Sequence, residues 1–373
     1  MKGTAGDAAG GQAAPQRPAA QPGPDTGASY TGCREALAPA ASERALVEHL
    51  VACVTNDGQT WSRALVVDYY TSLKTNPFVI LGGPEGAGKL AFVQRFAEAL
   101  LGPASPQYAL IPGGARWTAG TGEDGYYRAL HERFSSLRFL ELLHDAASPS
   151  SAGKAYLICL SRLTPGELAY YFTNLLAIDE HGRKRLRLPG FPAARQPVVP
   201  DNVAITATLD LEEAAWPVNP VALRHAGLIT FRGGMPLTAG RRTIPPVGYQ
   251  RLWLRALRRG LDAGTRLATL LDARAIRTLR CSDPLLQLVW RAGLVFSQEL
   301  LAQIERYVAN SFDDEGRGLF DPYDERRNAQ LAYDAQVAQR ILWRLRGTQD
   351  EALRRDLLAY LETTAPPPRQ QVA

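Results

Sequence analysis

The stretch Phe78-Val-Ile-Leu-Gly-Gly-Pro-Glu-Gly-Ala-Gly-Lys-Leu90 decides the fold. Its first four residues form a continuous apolar run, the pattern of a strand buried on both faces. Gly83, Pro84, Glu85, Gly86, Ala87, Gly88 and Lys89 then match G-x-x-x-x-G-K, and Leu90 to Leu101 carries helical periodicity. In a loop set between strand and helix, glycines let successive backbone N–H groups wrap a phosphate. The helix N-terminus adds its positive dipole end, and the lysine reaches the β- and γ-phosphates. The motif normally continues with a Ser or Thr whose hydroxyl ligates Mg²⁺, and here the position is Leu90. Gly83 to Leu90 is thus the expected phosphate-binding set, with Glu85 adding a negative charge inside it.

On the N-terminal side, Ser42 is an N-cap for a helix with the apolar stripe Leu46, Val47, Leu50, Val51 and Val54. A second helix is expected from Trp61 to Lys74. Residues 1–40 are rich in Gly, Ala, Pro, Gln and Thr, which predicts a disordered tail. On the C-terminal side, Ala155 to Leu160 and Asn202 to Ala207 are further buried-strand candidates, so strands alternate with helices as in a parallel α/β sheet. Beyond Arg232 the pattern is helical only, near 249–261, 263–279, 283–309, 329–346 and 349–363. The expected domains are a tail over 1–40, an α/β phosphate-loop core with N-terminal helices over 41–236, a helical subdomain over 237–364 and a flexible tail over 365–373.

Composition sets bounds. The 373 residues, 46% hydrophobic and with a net charge of +5, suffice for two packed units. Cys33, Cys53, Cys159 and Cys281 show no paired spacing and read as reduced thiols. No apolar run reaches the roughly 18 residues of a membrane span, so the expectation is a soluble cytoplasmic protein. Ten arginines lie between Arg241 and Arg280 against Asp262 and Asp272, and Arg251, Arg255 and Arg258 share one helix face opposite Leu254, Leu257 and Leu261. That face reads as solvated surface or as a surface for nucleic acid or an acidic partner. His181, Arg183, Lys184, Arg185 and Arg187 form a second basic cluster, and Trp117, Tyr126 and Tyr127 read as packing residues.

The chain resembles the McrB-like branch of AAA+ nucleotidases, motor subunits of modification-dependent restriction and related defence systems. The resemblance runs over roughly residues 62 to 350. It rests on Ser72 to Leu81 leading into the phosphate loop, Arg95 to Leu100, and Tyr156 to Phe172, which looks like the family's Walker B strand and following helix. It implies an α/β AAA+ P-loop fold, a parallel sheet flanked by helices, followed by an all-α lid. Where the family has Asp-Glu after the strand, this chain has Ser161 and Arg162. Asp210 stands at the sensor-1 Asn and Glu299 at the sensor-2 Arg. His225 falls at the arginine finger, with Arg224 one residue early.

These departures remove the Mg²⁺ ligand and the group that activates water. A missing general base alone forfeits about 10²–10⁴ in rate, about 3–5 kcal/mol of barrier lowering, and a guanidinium cannot replace it. The resemblance therefore implies a pseudoenzyme that binds ATP or GTP weakly without a sound Mg²⁺ site. It would act as a scaffold or regulatory subunit in a homo- or hetero-oligomer with AAA+ relatives or an effector chain. The alternatives are an active ATP- or GTP-hydrolysing motor recruiting Asp179, Glu180, Glu212 or Glu213, and an arginine-rich nucleic-acid-binding module.

Overall fold

The apolar run at Phe78 becomes the middle of a parallel sheet. The computed structural model describes residues 42–55, 61–76, 78–113, 139–169, 171–172, 176–178, 184–186, 198–210, 226–231, 248–261, 263–280, 283–294, 297–345 and 350–364. The two expected tails, Trp117, Tyr126, Tyr127, Cys33 and Cys281 lie outside these residues. Helices α1 (Glu43–Thr55) and α2 (Arg63–Thr75) precede β1 (Phe78–Gly83), and α3 (Lys89–Leu101) follows it. Ser42 and Ser62 cap α1 and α2 through their hydroxyls, which accept from the amides of Ala45 and Leu65. Next come β2 (Tyr108–Pro112), α4 (Phe139–Ala147), β3 (Tyr156–Leu163), α5 (Pro165–Ala169), the short strands β4 (Leu176–Ile178) and β5 (Lys184–Leu186), β6 (Val203–Asp210) and β7 (Ala226–Thr230).

Five strands form one sheet in the order β2-β3-β6-β1-β7, every neighbouring pair parallel, while β4 and β5 make a separate antiparallel pair. Successive side chains of a strand point to opposite faces, and both faces are covered. Phe78, Ile80, Ile158, Leu160 and Ile205 join a core with Phe139, Leu142 and Leu143 of α4. Val79, Leu81, Leu157 and Cys159 join another with α1, α2 and α3. The second core also takes Leu252, Trp253, Leu254 and Ala256 from α6 (Tyr249–Leu261).

From α6 onward the described elements are all helical. They are α7 (Ala263–Leu270), α8 (Ala273–Arg280), α9 (Asp283–Arg291), α10 (Gln298–Asn310) and α11 (Glu325–Val337). The last runs through a π-helical turn, Ala338–Leu342, into α12 (Trp343–Leu345), and α13 (Glu351–Thr364) closes the series. A third core, including Leu267, Leu285, Val289, Ile304, Tyr307, Phe312, Tyr333 and Val337, holds them together. No helix among the described residues is long and apolar enough to cross a membrane.

Two long helices expected from periodicity are each divided. The segment 263–279 breaks at Leu271 and Asp272, because the Asp272 carboxylate accepts from the Ala275 amide at 2.7 Å and starts a new helix. The segment 283–309 breaks at Gly293, φ 70°. There the amides of Gly293 and Leu294 turn back to the carbonyls of Trp290 and Val289 in a Schellman motif, and Ser297 caps the next helix. Asp324 likewise moves the start of α11 four residues ahead of the expected 329. Local caps override an apolar period that runs straight through them.

Candidate functional site

Parallel strands bring their C-terminal ends to one edge of the sheet, the usual place for a ligand in such folds. The register is specific. Gly83 at the end of β1 pairs with Asp210 at the end of β6, and Pro112 of β2 with Ser161 of β3. Gly83, Ser161, Arg162 and Asp210, read from separate parts of the sequence, thus meet along this edge.

The phosphate loop depends on its glycines. Gly86 and Gly88 have φ of 76° and 82°, and Gly88 in that conformation precedes the first residue of α3. A Cβ at Gly83 would lie 2.6 Å from the Phe231 carbonyl oxygen. Lys89 is only 4% exposed, and its ammonium donates to the Gly83 carbonyl at 2.8 Å and the Pro84 carbonyl at 2.6 Å. It also lies 2.8 Å from Oδ1 of Asp210, whose side chain is 30% exposed. An ammonium has three N–H donors, and these three oxygens match them.

Arg162 continues the chain of charges. Its Nε is 3.7 Å from Oδ2 of Asp210, and its terminal nitrogen pairs with the carboxylate of Glu85 in the loop. The four side chains alternate in sign: Lys89, Asp210, Arg162, Glu85. Charges that the sequence reading sets against a phosphate neutralise one another here. Arg162 reaches this position through irregular backbone. Its φ is 56°, in the left-handed region that non-glycine residues rarely adopt, and the pairing of β3 with β6 shifts register between Leu160 and Leu163. The Arg162 amide donates to the Thr208 hydroxyl at 2.8 Å. Ser161 is buried, its carbonyl taken by the Gly113 amide at 2.6 Å, and a Cβ at Gly113 would lie 2.6 Å from the Arg162 carbonyl oxygen. Thr208 and Gly113 are supporting residues that the sequence did not single out, because neither lies in a motif and both act through backbone contact.

The remaining candidates separate. Leu90 points its side chain into the core shared by α1, α2, α3 and α6. Glu299 is exposed in the first turn of α10, where Gln303 donates to it at 3.5 Å, and among the described residues no hydrogen bond or ion pair joins it to the loop. Arg224 and His225, like Asp179, Glu180, Glu212 and Glu213, lie outside the described residues. Of the second basic cluster, Lys184 and Arg185 sit on β5, and the Lys184 ammonium donates to the Val203 carbonyl; His181, Arg183 and Arg187 are outside the described residues.

As an anion site the backbone is sound, with a glycine cradle leading into the 13-residue α3. A divalent cation does not fit the described residues at this edge. Leu90 offers no oxygen, Ser161 is buried with its carbonyl engaged, Arg162 is cationic, and Asp210 is committed to Lys89. No protein-family model matches this chain, and no curated protein matches its sequence.

Proposed function

We infer that this chain is a degenerate AAA+ module of the McrB-like type. It retains the shape of a nucleotide site but not its hydrolytic chemistry, and serves as a scaffold or regulatory subunit beside competent AAA+ relatives or an effector chain. The helices from α7 onward correspond, on this reading, to the lid. The observation that carries it is the saturation of Lys89 by Gly83, Pro84 and Asp210, with Arg162 and Glu85 closing the same circuit. A phosphate entering the loop must displace Asp210 from Lys89, so ATP or GTP binds weakly. Once bound, it meets the Arg162 guanidinium where a motor would present a base, and the described residues hold no cluster of ligands suited to Mg²⁺. Independent replacements at positions 90, 161, 162 and 210 leave the strand-loop-helix intact, as expected of a site kept for its architecture.

The test is phosphate release by the purified chain with Mg²⁺ and ATP or GTP, together with equilibrium nucleotide binding. Turnover should equal that of Lys89→Ala. Asp210→Asn, which leaves Lys89 without its internal anion, should tighten nucleotide binding at least tenfold, about 1.4 kcal/mol. Turnover abolished by Lys89→Ala would sink the pseudoenzyme reading.

A further inference from the structure

Helix α6 carries four arginines and no acidic residue, and it treats them in two ways. Arg259, turned inward, pairs with Glu43 and lies 3.9 Å from Asp314. Arg251, Arg255 and Arg258 are exposed, and none forms an ion pair with any described residue. They recur at i, i+4 and i+7, so they share one face. At about 1.5 Å of rise per residue they span about 10 Å. The face extends past the helix start: Arg251 Nε is 3.7 Å from where a Cβ of Gly153 would be, and the next residue is the exposed Lys154. Glutamine rather than acid marks this junction, Gln250 accepting from the Ala155 amide at 3.1 Å.

We propose that the outward face of α6 binds the phosphate backbone of duplex nucleic acid. One strand of a duplex carries a phosphate every 3.4 Å of axis, so about 10 Å of stripe meets about three phosphates. Backbone contacts of this kind need only guanidinium groups and carry no base information. The surroundings distinguish the class of partner. A protein interface builds around an apolar or aromatic centre, and single strands stack their bases on aromatic rings. The exposed large hydrophobic residues among those described are Leu110, Val198, Trp290, Tyr323 and Leu358, none of them on α6. Its apolar side is spent on the core, with Trp253 against Tyr70 and Phe96. What remains outside is charge alone, which suits a phosphate rail.

The experiment is a fluorescence-anisotropy titration of the full-length chain, without nucleotide, against a labelled 24-base-pair duplex of arbitrary sequence. Binding is expected at 50 mM salt, and three phosphate contacts predict about a 40-fold loss of affinity between 50 and 200 mM. The combined Arg251→Glu, Arg255→Glu and Arg258→Glu variant should lose at least tenfold at 50 mM. Arg354→Glu with Arg355→Glu, exposed on α13, should change affinity less than threefold, and circular dichroism melting should show both variants folded. An equal loss in the two variants, no duplex binding at 50 mM, or binding of poly-glutamate in preference to the duplex would each overturn the proposal. These outcomes leave the reading of the phosphate loop untouched, because no nucleotide is present.

Discussion

Two lysines in this protein are coordinated alike and do different work. Lys89 in the phosphate loop donates to two backbone carbonyls and faces the carboxylate of Asp210. Lys74 at the end of α2 donates to the carbonyls of Asn310 and Phe312 at 3.0 and 3.1 Å and to the Glu43 carboxylate at 2.7 Å. The difference lies in the carboxylates. Lys74 and Glu43 are 0% and 2% exposed, and Tyr70 and Arg259 also donate to Glu43. Asp210 is 30% exposed, and its second partner, Arg162, is 64% exposed. A charge pair removed from water at both ends is a structural weld, costly to break from either side. A pair with one wet end can exchange its partner for another anion. The same kind of acceptor set thus pins the α10 end against α1 and α2 in one place and leaves a lysine with a partly exposed, exchangeable carboxylate in the other.

The largest effect is expected of Lys74→Ala. Removing the ammonium leaves the buried Glu43 with Tyr70 and Arg259 as its remaining donors, and a loss of about 3–5 kcal/mol of unfolding free energy is expected in urea denaturation. Lys89→Ala should cost well under half as much, because water reaches Asp210. Equal costs would mean that Asp210 is as confined as Glu43.

Asp68 is a contrasting case, a half-buried carboxylate with neutral donors. Tyr307, Gln339 and Ser72 all donate to its Oδ1, and burial raises its pKa to about 6. A folded-state value above the unfolded 3.8 gives stability that is present below about pH 4 and lost as pH rises through 6. About two units amount to about 3 kcal/mol at most. Asp68→Asn keeps the oxygen that the three donors use, so its stability measured from about pH 4 to 7 should lack that fall. A parallel pH profile for both proteins would remove Asp68 from the account.

The smallest effect belongs to Arg162 and Glu85. With side chains 64% and 70% exposed, the pair is worth under about 1 kcal/mol, so Glu85→Gln should leave the melting temperature within about two degrees. A larger shift would show that the loop is clamped by charge and not by its backbone.

Much of this was legible in the chain. The buried run at Phe78, the glycine loop and the cap at Ser42 act through local rules, and the structure follows them. The breaks at Asp272 and Gly293 carried local signals too, an N-cap residue and a glycine, but the longer apolar period masked them. Strands β2, β4, β5 and β7 were not anticipated, since segments of three to five residues are too short for an apolar run or alternation to stand out.

Residue type and spacing over a few turns alone account for the strand-loop-helix, the apolar Leu90 where such a loop usually carries a hydroxyl, and the arginine stripe of α6. The assembled fold, by contrast, pairs Asp210 with Lys89, sets Arg162 against both Asp210 and Glu85, and turns Arg259 inward to Glu43 while its neighbours on the same helix stay outside. These pairings join residues 48 to 216 positions apart, through the register of Gly83 with Asp210, a bulge in β3 and the packing of α6 on α1. Such proximity is set by how the sheet and its helices assemble, and no local pattern of side chains encodes it.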